Sequence, residues 1–155
     1  PSGGRSGDVA VLVDQQQRWI AVWSLWRDLY VSFSVDNGGT WSAAVKLPVP
    51  VNSAHNEEVP KLLQDAQGRY LLAFSSDRNL FHTRSSYVCW TEDFVNFSAP
   101  ARISSDALSP LRIIERSDGM YLTYLYGSRT AVTTSRDLVN WSPPTTVRVL
   151  SLIHI

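Results

Sequence analysis

The chain has 155 residues, 14 Lys and Arg against 14 Asp and Glu, 44% hydrophobic residues and 11% aromatics. That is apolar content for about one domain, and a formal net charge of zero lacks the basic footprint of a nucleic-acid partner. A single cysteine, Cys89, excludes an internal disulfide and a cysteine metal cluster, and no apolar run approaches the roughly 20 residues of a membrane span.

Residues 1–7 form a polar, glycine-rich, flexible start with no signal-peptide pattern and no initiating Met, so the native N-terminus is expected upstream. Strand-like runs follow. DVAVLVD (8–14) and RWIAVW (18–23) flank the turn DQQQR. YLLAF (70–74) follows DAQGR, and MYLTYLY (120–126) follows RSDGM. Each run is short, β-branched or aromatic, and bounded by turn residues, which predicts strands joined by hairpins. No window of a dozen residues carries a helical apolar stripe, and eight prolines spread along the chain disfavour long helices.

The chain repeats. SVDNGGTWSAAVKL (34–47) has two partners, TEDFVNFSAPARI (91–103) and SRDLVNWSPPTTV (135–147). Each has Ser or Thr, an Asp two positions on, an aromatic, a Ser and an apolar strand. Asp36, Asp93 and Asp137 mark the register, and their spacing suits four-stranded propeller blades. The expected fold is all-β: part of a β-propeller, about three four-stranded antiparallel blades over 8–48, 57–103 and 108–148. Three blades do not close a ring. The remaining blades of the same parent chain are therefore expected partners, in a parent of six or, alternatively, five blades. The tail VLSLIHI (149–155) matches no strand of the repeat; it is either translated adaptor sequence or the start of a fourth blade.

In SVDNGGTW the carboxylate of Asp36 is expected to accept backbone N–H groups, with Ser34 tied to the same loop. Gly38 and Gly39 are expected at positive φ, and Trp41 is expected to bury its ring between neighbouring strands. A calcium loop needs more oxygen ligands than this segment offers, so no metal is expected.

SVDNGGTW resembles the Asp-box, S-x-D-x-G-x-x-W, of sialidases and other proteins with BNR repeats. The second and third copies lack the glycines and are one residue shorter, and Phe97 replaces the Trp that the third copy keeps as Trp141. The third copy also resembles blades of five-bladed arabinanase- and fructosidase-like glycosidases. The resemblance runs through the repeats, over about residues 8–148. It implies a secreted or periplasmic location. It also implies a working face opposite the Asp-boxes, near the propeller axis. The box marks a propeller strongly and a reaction weakly, since non-enzymes carry it too.

On the face opposite the Asp-boxes the topology predicts the segments 24–30, 50–61, 75–87, 104–112 and 126–130. Glycoside hydrolysis needs two carboxyl groups flanking the bond. Glu58-Val59-Pro60 resembles the E-G-P segment that carries the general acid of arabinanase-like enzymes, with Val in place of Gly, which makes Glu58 the candidate acid and Glu57 its neighbour. Asp77 and Asp106 fall on the same face. The alternative is a solvated acidic pair on a loop. Sialidases hold a substrate carboxylate with three arginines. Arg78, Arg112 and Arg27 are the candidates, followed by Arg84 and Arg129, since guanidinium matches carboxylate bidentately. Trp26 is a candidate for stacking on a sugar ring, and Tyr30, Tyr87 and Tyr126 for a tyrosine nucleophile. His55, His82 and His154 have no zinc spacing, and no cofactor is implied.

Two functions follow. The first is a sialidase-like glycoside hydrolase, an exo-glycosidase inactive as this piece alone. The second is a non-catalytic propeller that binds a glycan or protein through the same face.

Overall fold

The computed structural model describes residues 6–25, 28–49, 57–77 and 84–147. Among them there is no helix, and twelve strands form three four-stranded sheets. The first holds β1 (Ser6–Val13), β2 (Trp19–Leu25), β3 (Asp28–Ser34) and β4 (Val45–Lys46). The second holds β5 (Glu57–Gln64), β6 (Tyr70–Asp77), β7 (Arg84–Thr91) and β8 (Ala101–Ser104). The third holds β9 (Ser109–Glu115), β10 (Tyr121–Tyr126), β11 (Thr130–Ser135) and β12 (Thr145–Thr146). Each sheet is an antiparallel meander in chain order. The first strand of one sheet packs on the first strand of the next, β1 on β5 and β5 on β9. Three blades fanned around a line where their first strands meet are part of a β-propeller.

Two apolar seams hold the blades together. Ile20, Val22, Leu29 and Val31 of blade 1 meet Tyr70, Leu72, Phe74 and Phe94 of blade 2. Leu71, Ala73 and Val88 of blade 2 meet Ile113, Tyr121, Leu125 and Leu138 of blade 3. Strand side chains alternate between faces, so β6 sends Tyr70, Leu72 and Phe74 one way and Leu71 and Ala73 the other. The run YLLAF is apolar at every position because both faces of β6 are covered.

The turns after β3, β7 and β11 share one bonding pattern. Ser34, Thr91 and Ser135 each donate a hydroxyl to the Asp two residues on, at 2.7, 3.1 and 3.0 Å. Asp36 accepts the Thr40 N–H at 2.8 Å and its hydroxyl at 2.6 Å. Asp93 accepts the N–H groups of Val95 and Asn96, and Asp137 those of Val139 and Asn140. The serine after the aromatic, Ser42, Ser98 or Ser142, closes the turn by bonding back to Phe33, Trp90 or Thr134.

Two details differ from expectation. Gly38 has φ of 86°, but its left-handed companion is Asn37 at 57°, not Gly39. Gly39 is small for another reason: a Cβ there would lie 3.2 Å from Asp36 Oδ2. In the other copies the residue at the Asn37 position is apolar, Phe94 (φ 60°) or Leu138 (φ 64°), and is buried in the seam towards the preceding blade. Trp41 is 42% exposed rather than buried between strands. Its indole N–H caps the Gly38 carbonyl at 3.1 Å.

Candidate functional site

The hairpin turns β1–β2, β5–β6 and β9–β10 lie at the same end of the blades as the carboxylate turns. They build a clamp across each seam. Asp14 accepts the N–H groups of Gln16 and Arg18 and the Arg18 Nε–H at 2.8 Å. The Tyr70 hydroxyl, on the next blade, donates to Asp14 at 2.9 Å and accepts from Arg18 at 2.7 Å. Asp65, Arg69 and Tyr121 repeat this, with Tyr121 at 3.2 Å from Asp65 and 3.0 Å from Arg69. Arg69 also lies 5.1 Å over the Trp90 ring. Burial pushes the Asp14 carboxyl up, but its bonds from Arg18 and Tyr70 outweigh this and hold it below the ordinary value. Asp14, Asp65, Tyr70 and Tyr121 are buried in the seams and bonded to Arg18 and Arg69, so these groups are structural. The sequence carried a signal for them: D-x-x-x-R-aromatic recurs, with both Arg-to-Tyr bonds spanning 52 residues.

At the other end the strands open a cavity of about 370 Å³. Asp8 comes from β1, Lys61 from β5, and Ser109, Pro110 and Leu111 from the start of β9. Ala107, Tyr126 and Gly127 complete the wall. All three blades contribute, so the site lies where their first strands converge.

Its blade 3 wall is built from two connections. Arg129 and Asp106 join them through an ion pair at 2.7 Å. Gly127 packs so closely on the β8–β9 connection that a Cβ would lie 2.8 Å from the Ala107 carbonyl. The Ser86 hydroxyl of blade 2 donates to the Leu108 carbonyl. Tyr126, 62% exposed, stands free at the rim. A carboxylate, an ammonium, hydroxyls and an open aromatic ring around a cavity of this size suit a polar, ring-shaped ligand.

The structure brings some sequence-predicted residues here and not others. Glu57 and Glu58 open β5 by their backbone, paired with Ser76 and Ser75, on the strand that carries Lys61; their side chains lie outside the described set. Trp26, Arg27, Arg78, His55, His82 and His154 also lie outside the described residues. Arg112, expected in a connection, is within β9 opposite Tyr124, on the exposed outer face of blade 3. The pleat explains this: β9 begins at Ser109, and its alternation turns Arg112 away from the seam with blade 2. Arg129 is held by Asp106. Tyr30 stacks on Trp23, with centroids 6.1 Å apart, and Tyr87 is buried against Phe74, which removes both from the cavity. Among the described residues no three His, Cys, Asp or Glu side chains gather as a metal site, and no helix is long and apolar enough to cross a membrane. The predicted segments 50–61, 104–112 and 126–130 hold Lys61, Ser109 and Tyr126 of this lining; sequence reasoning missed Asp8 and did not single out Lys61 or Ser109.

No protein-family model matches the sequence, and no curated protein matches it. Solved structures do match. A protein of unknown function from Dyadobacter fermentans is 14% identical, with a TM-score of 0.77, over 94% of this chain and 52% of its own. The alpha-L-arabinanase of Penicillium chrysogenum, solved with arabinobiose, is 16% identical, with a TM-score of 0.76, over 97% and 53%. The Hadza microbial sialidase Hz136 is 18% identical, with a TM-score of 0.71, over 94% and 34%. The chain thus has the propeller fold found in glycoside hydrolases, and it spans about half the length of the first two of these neighbours.

Proposed function

We propose that this chain forms part of a glycan-handling propeller of the glycoside-hydrolase kind, with the sugar held in the cavity opposite the carboxylate turns. The observation that carries this reading is the composition of that cavity. Asp8, Lys61 and Ser109 supply the charged and hydroxyl groups that sugar hydroxyls need, and the exposed Tyr126 ring supplies a stacking surface. The arabinanase neighbour, solved with arabinobiose, supports the ligand class.

The finer reading is an exo-glycosidase of sialidase type, carried by the resemblance of SVDNGGTW to the Asp-box. In it Glu58 is the acid with Glu57 beside it, and Arg78, Arg27 and Trp26 contact substrate. A five-bladed arabinanase- or fructosidase-like enzyme uses the same Glu58. One observation favours the non-catalytic alternative: among the described residues Asp8 is the one carboxylate lining the cavity, and hydrolysis requires two.

The test is binding of arabino-oligosaccharides and sialosides followed by saturation-transfer NMR, with hydrolysis of the matching fluorogenic glycosides. Asp8→Asn and Tyr126→Ala are each expected to weaken binding at least about tenfold, the loss of one good polar or stacking contact, with unchanged circular dichroism. Binding of none of these sugars, or binding untouched by both substitutions, overturns the reading.

A further inference from the structure

We infer that Lys61 makes the cavity selective for carboxylated sugars: its ammonium takes the carboxylate of a sugar acid while Asp8 accepts hydroxyls of the same ring. The inference deepens the glycan reading of the cavity and rests on it.

The innermost strands share a feature at the cavity end. Each carries one extra residue relative to the strand it pairs with. In blade 1 the register passes from Val9↔Trp23 to Ser6↔Leu25, and in blade 2 from Lys61↔Ala73 to Glu58↔Ser75. In blade 3 it passes from Arg112↔Tyr124 to Pro110↔Leu125. Such a bulge bends its strand and re-aims the side chains beside it. Asp8 lies within the first bulge, Lys61 closes the second, and Leu111 is the extra residue of the third. All three line the cavity.

The setting of Lys61 is fixed by this chain on both sides, because β5 packs between β1 and β9. Leu62 packs into the seam with blade 1 and Leu63 into the seam with blade 3. Alternation along β5 therefore turns Lys61 towards blade 3, where Ser109 and Pro110 line the cavity with it. The residue is half-buried, and among the described residues no carboxylate forms an ion pair with it. The arginines are engaged or turned elsewhere. Arg129 is held by Asp106, Arg112 is on the outer face, and Arg18 and Arg69 hold Asp14 and Asp65 at the far end of the seams. Lys61 is thus the one cation lining the cavity among the described residues.

A half-buried charge with no counter-ion has lost hydration without compensation, and an incoming anion offsets that cost. An ammonium also bonds a carboxylate more strongly than a neutral hydroxyl. Asp8 narrows the ligand further, because it accepts hydroxyls and repels a second negative charge. A neutral sugar satisfies Asp8 and leaves Lys61 uncompensated, and a simple anion does the reverse. A sugar acid, with one carboxylate and several hydroxyls, satisfies both. The blade 3 wall is set beforehand. Ala107 is held at φ of 55°, Gly127 fits against its carbonyl, and Ser86 bonds the Leu108 carbonyl. A preformed wall reduces the ordering cost of binding.

The test is titration calorimetry of the whole chain with two matched pairs, trigalacturonate against its methyl ester and sialyllactose against lactose. The carboxylated member of one pair is expected to bind at least about tenfold more tightly, and the pair that responds separates a uronide from a sialoside. That ratio should shrink as salt screens the charges. Lys61→Met, and Lys61→Gln as a second variant, should bring it to within about twofold of one, whereas Lys61→Arg should keep most of it. Circular dichroism checks that each variant is folded. Equal binding of charged and neutral members overturns the inference and leaves the glycan reading standing. A preference that survives both Lys61→Met and Lys61→Gln assigns the anion contact to another cation and overturns it too. Binding of no sugar in either pair, with the arabino-oligosaccharides also unbound, overturns the glycan reading itself.

Discussion

The three carboxylate turns show how single residues set the pH range of the fold. Hydrogen bonds from the Thr40 hydroxyl and N–H, and from Ser34, lower Asp36 from 3.8 to about 2. Asp93 is lowered chiefly by the backbone N–H of Asn96, and Asp137 by that of Asn140. A carboxyl whose folded value lies below its unfolded value stabilises the fold fully above the unfolded value. It loses that contribution as pH falls through the folded one. Thermal melts should therefore be flat near neutrality, decline below about pH 4, and decline further through about pH 2. The triple variant Asp36→Asn, Asp93→Asn, Asp137→Asn should flatten the decline that these turns cause and melt lower at neutral pH. A parent melting temperature that rises on acidification contradicts the assignment. The seam clamp makes a second prediction. Tyr70→Phe keeps the ring but leaves Arg18 and the buried Asp14 without the hydroxyl, a cost of about 1–3 kcal/mol in denaturant unfolding. The turn aspartates were legible because Ser or Thr stands two residues before each. The clamp was harder to read: D-x-x-x-R-aromatic recurs, but Asp14 alone reads as an ordinary turn residue and its tyrosine lies 56 residues away.

At the scale of elements, period and composition located the strands, and covered faces explain their differences. YLLAF lacks alternation because β6 lies between two seams, whereas β2 alternates strictly, half-buried and buried. Loop lengths were misjudged where strands end in serine. Ser75 and Ser76 read as loop, yet both are buried in β6, which runs on to Asp77. The same error put Arg112 in a connection. Covered faces also rank substitutions. Leu72→Ala opens the seam between blades 1 and 2 and should cost about 2–5 kcal/mol, whereas Val95→Ala in an exposed turn should stay within about 0.5 kcal/mol. Gly127→Ala should cost about 1–3 kcal/mol, because its new Cβ meets backbone that cannot swing away. Equal unfolding midpoints for Leu72→Ala and Val95→Ala would contradict the seam description.

At the scale of the molecule, the number of blades was legible because each brings its own turn signature, and the topology placed segments 50–61, 104–112 and 126–130 on the face of the candidate site without singling out the side chains that line it. Its groups come from the first strands of three blades and from the end of β10, and Asp8 lay in none of the predicted segments. Asp8 in particular reads as the residue before an apolar run. The two carboxylate candidates now make different demands on kinetics. A general acid protonates the leaving oxygen, so in an assembly that hydrolyses a glycoside Glu58→Gln should lower the rate by about 10²–10⁴ on an ordinary substrate. The loss should be much smaller on one whose leaving group needs no proton. Asp8, if it is the second carboxylate, acts on the sugar carbon or its attacking water, so Asp8→Asn should slow both substrates alike. Near-parent kcat for Glu58→Gln on both substrates removes Glu58 from the mechanism. If Asp8→Asn then raises KM and leaves kcat unchanged, the cavity binds sugar without performing the chemistry, because only uniform ground-state and transition-state binding was lost.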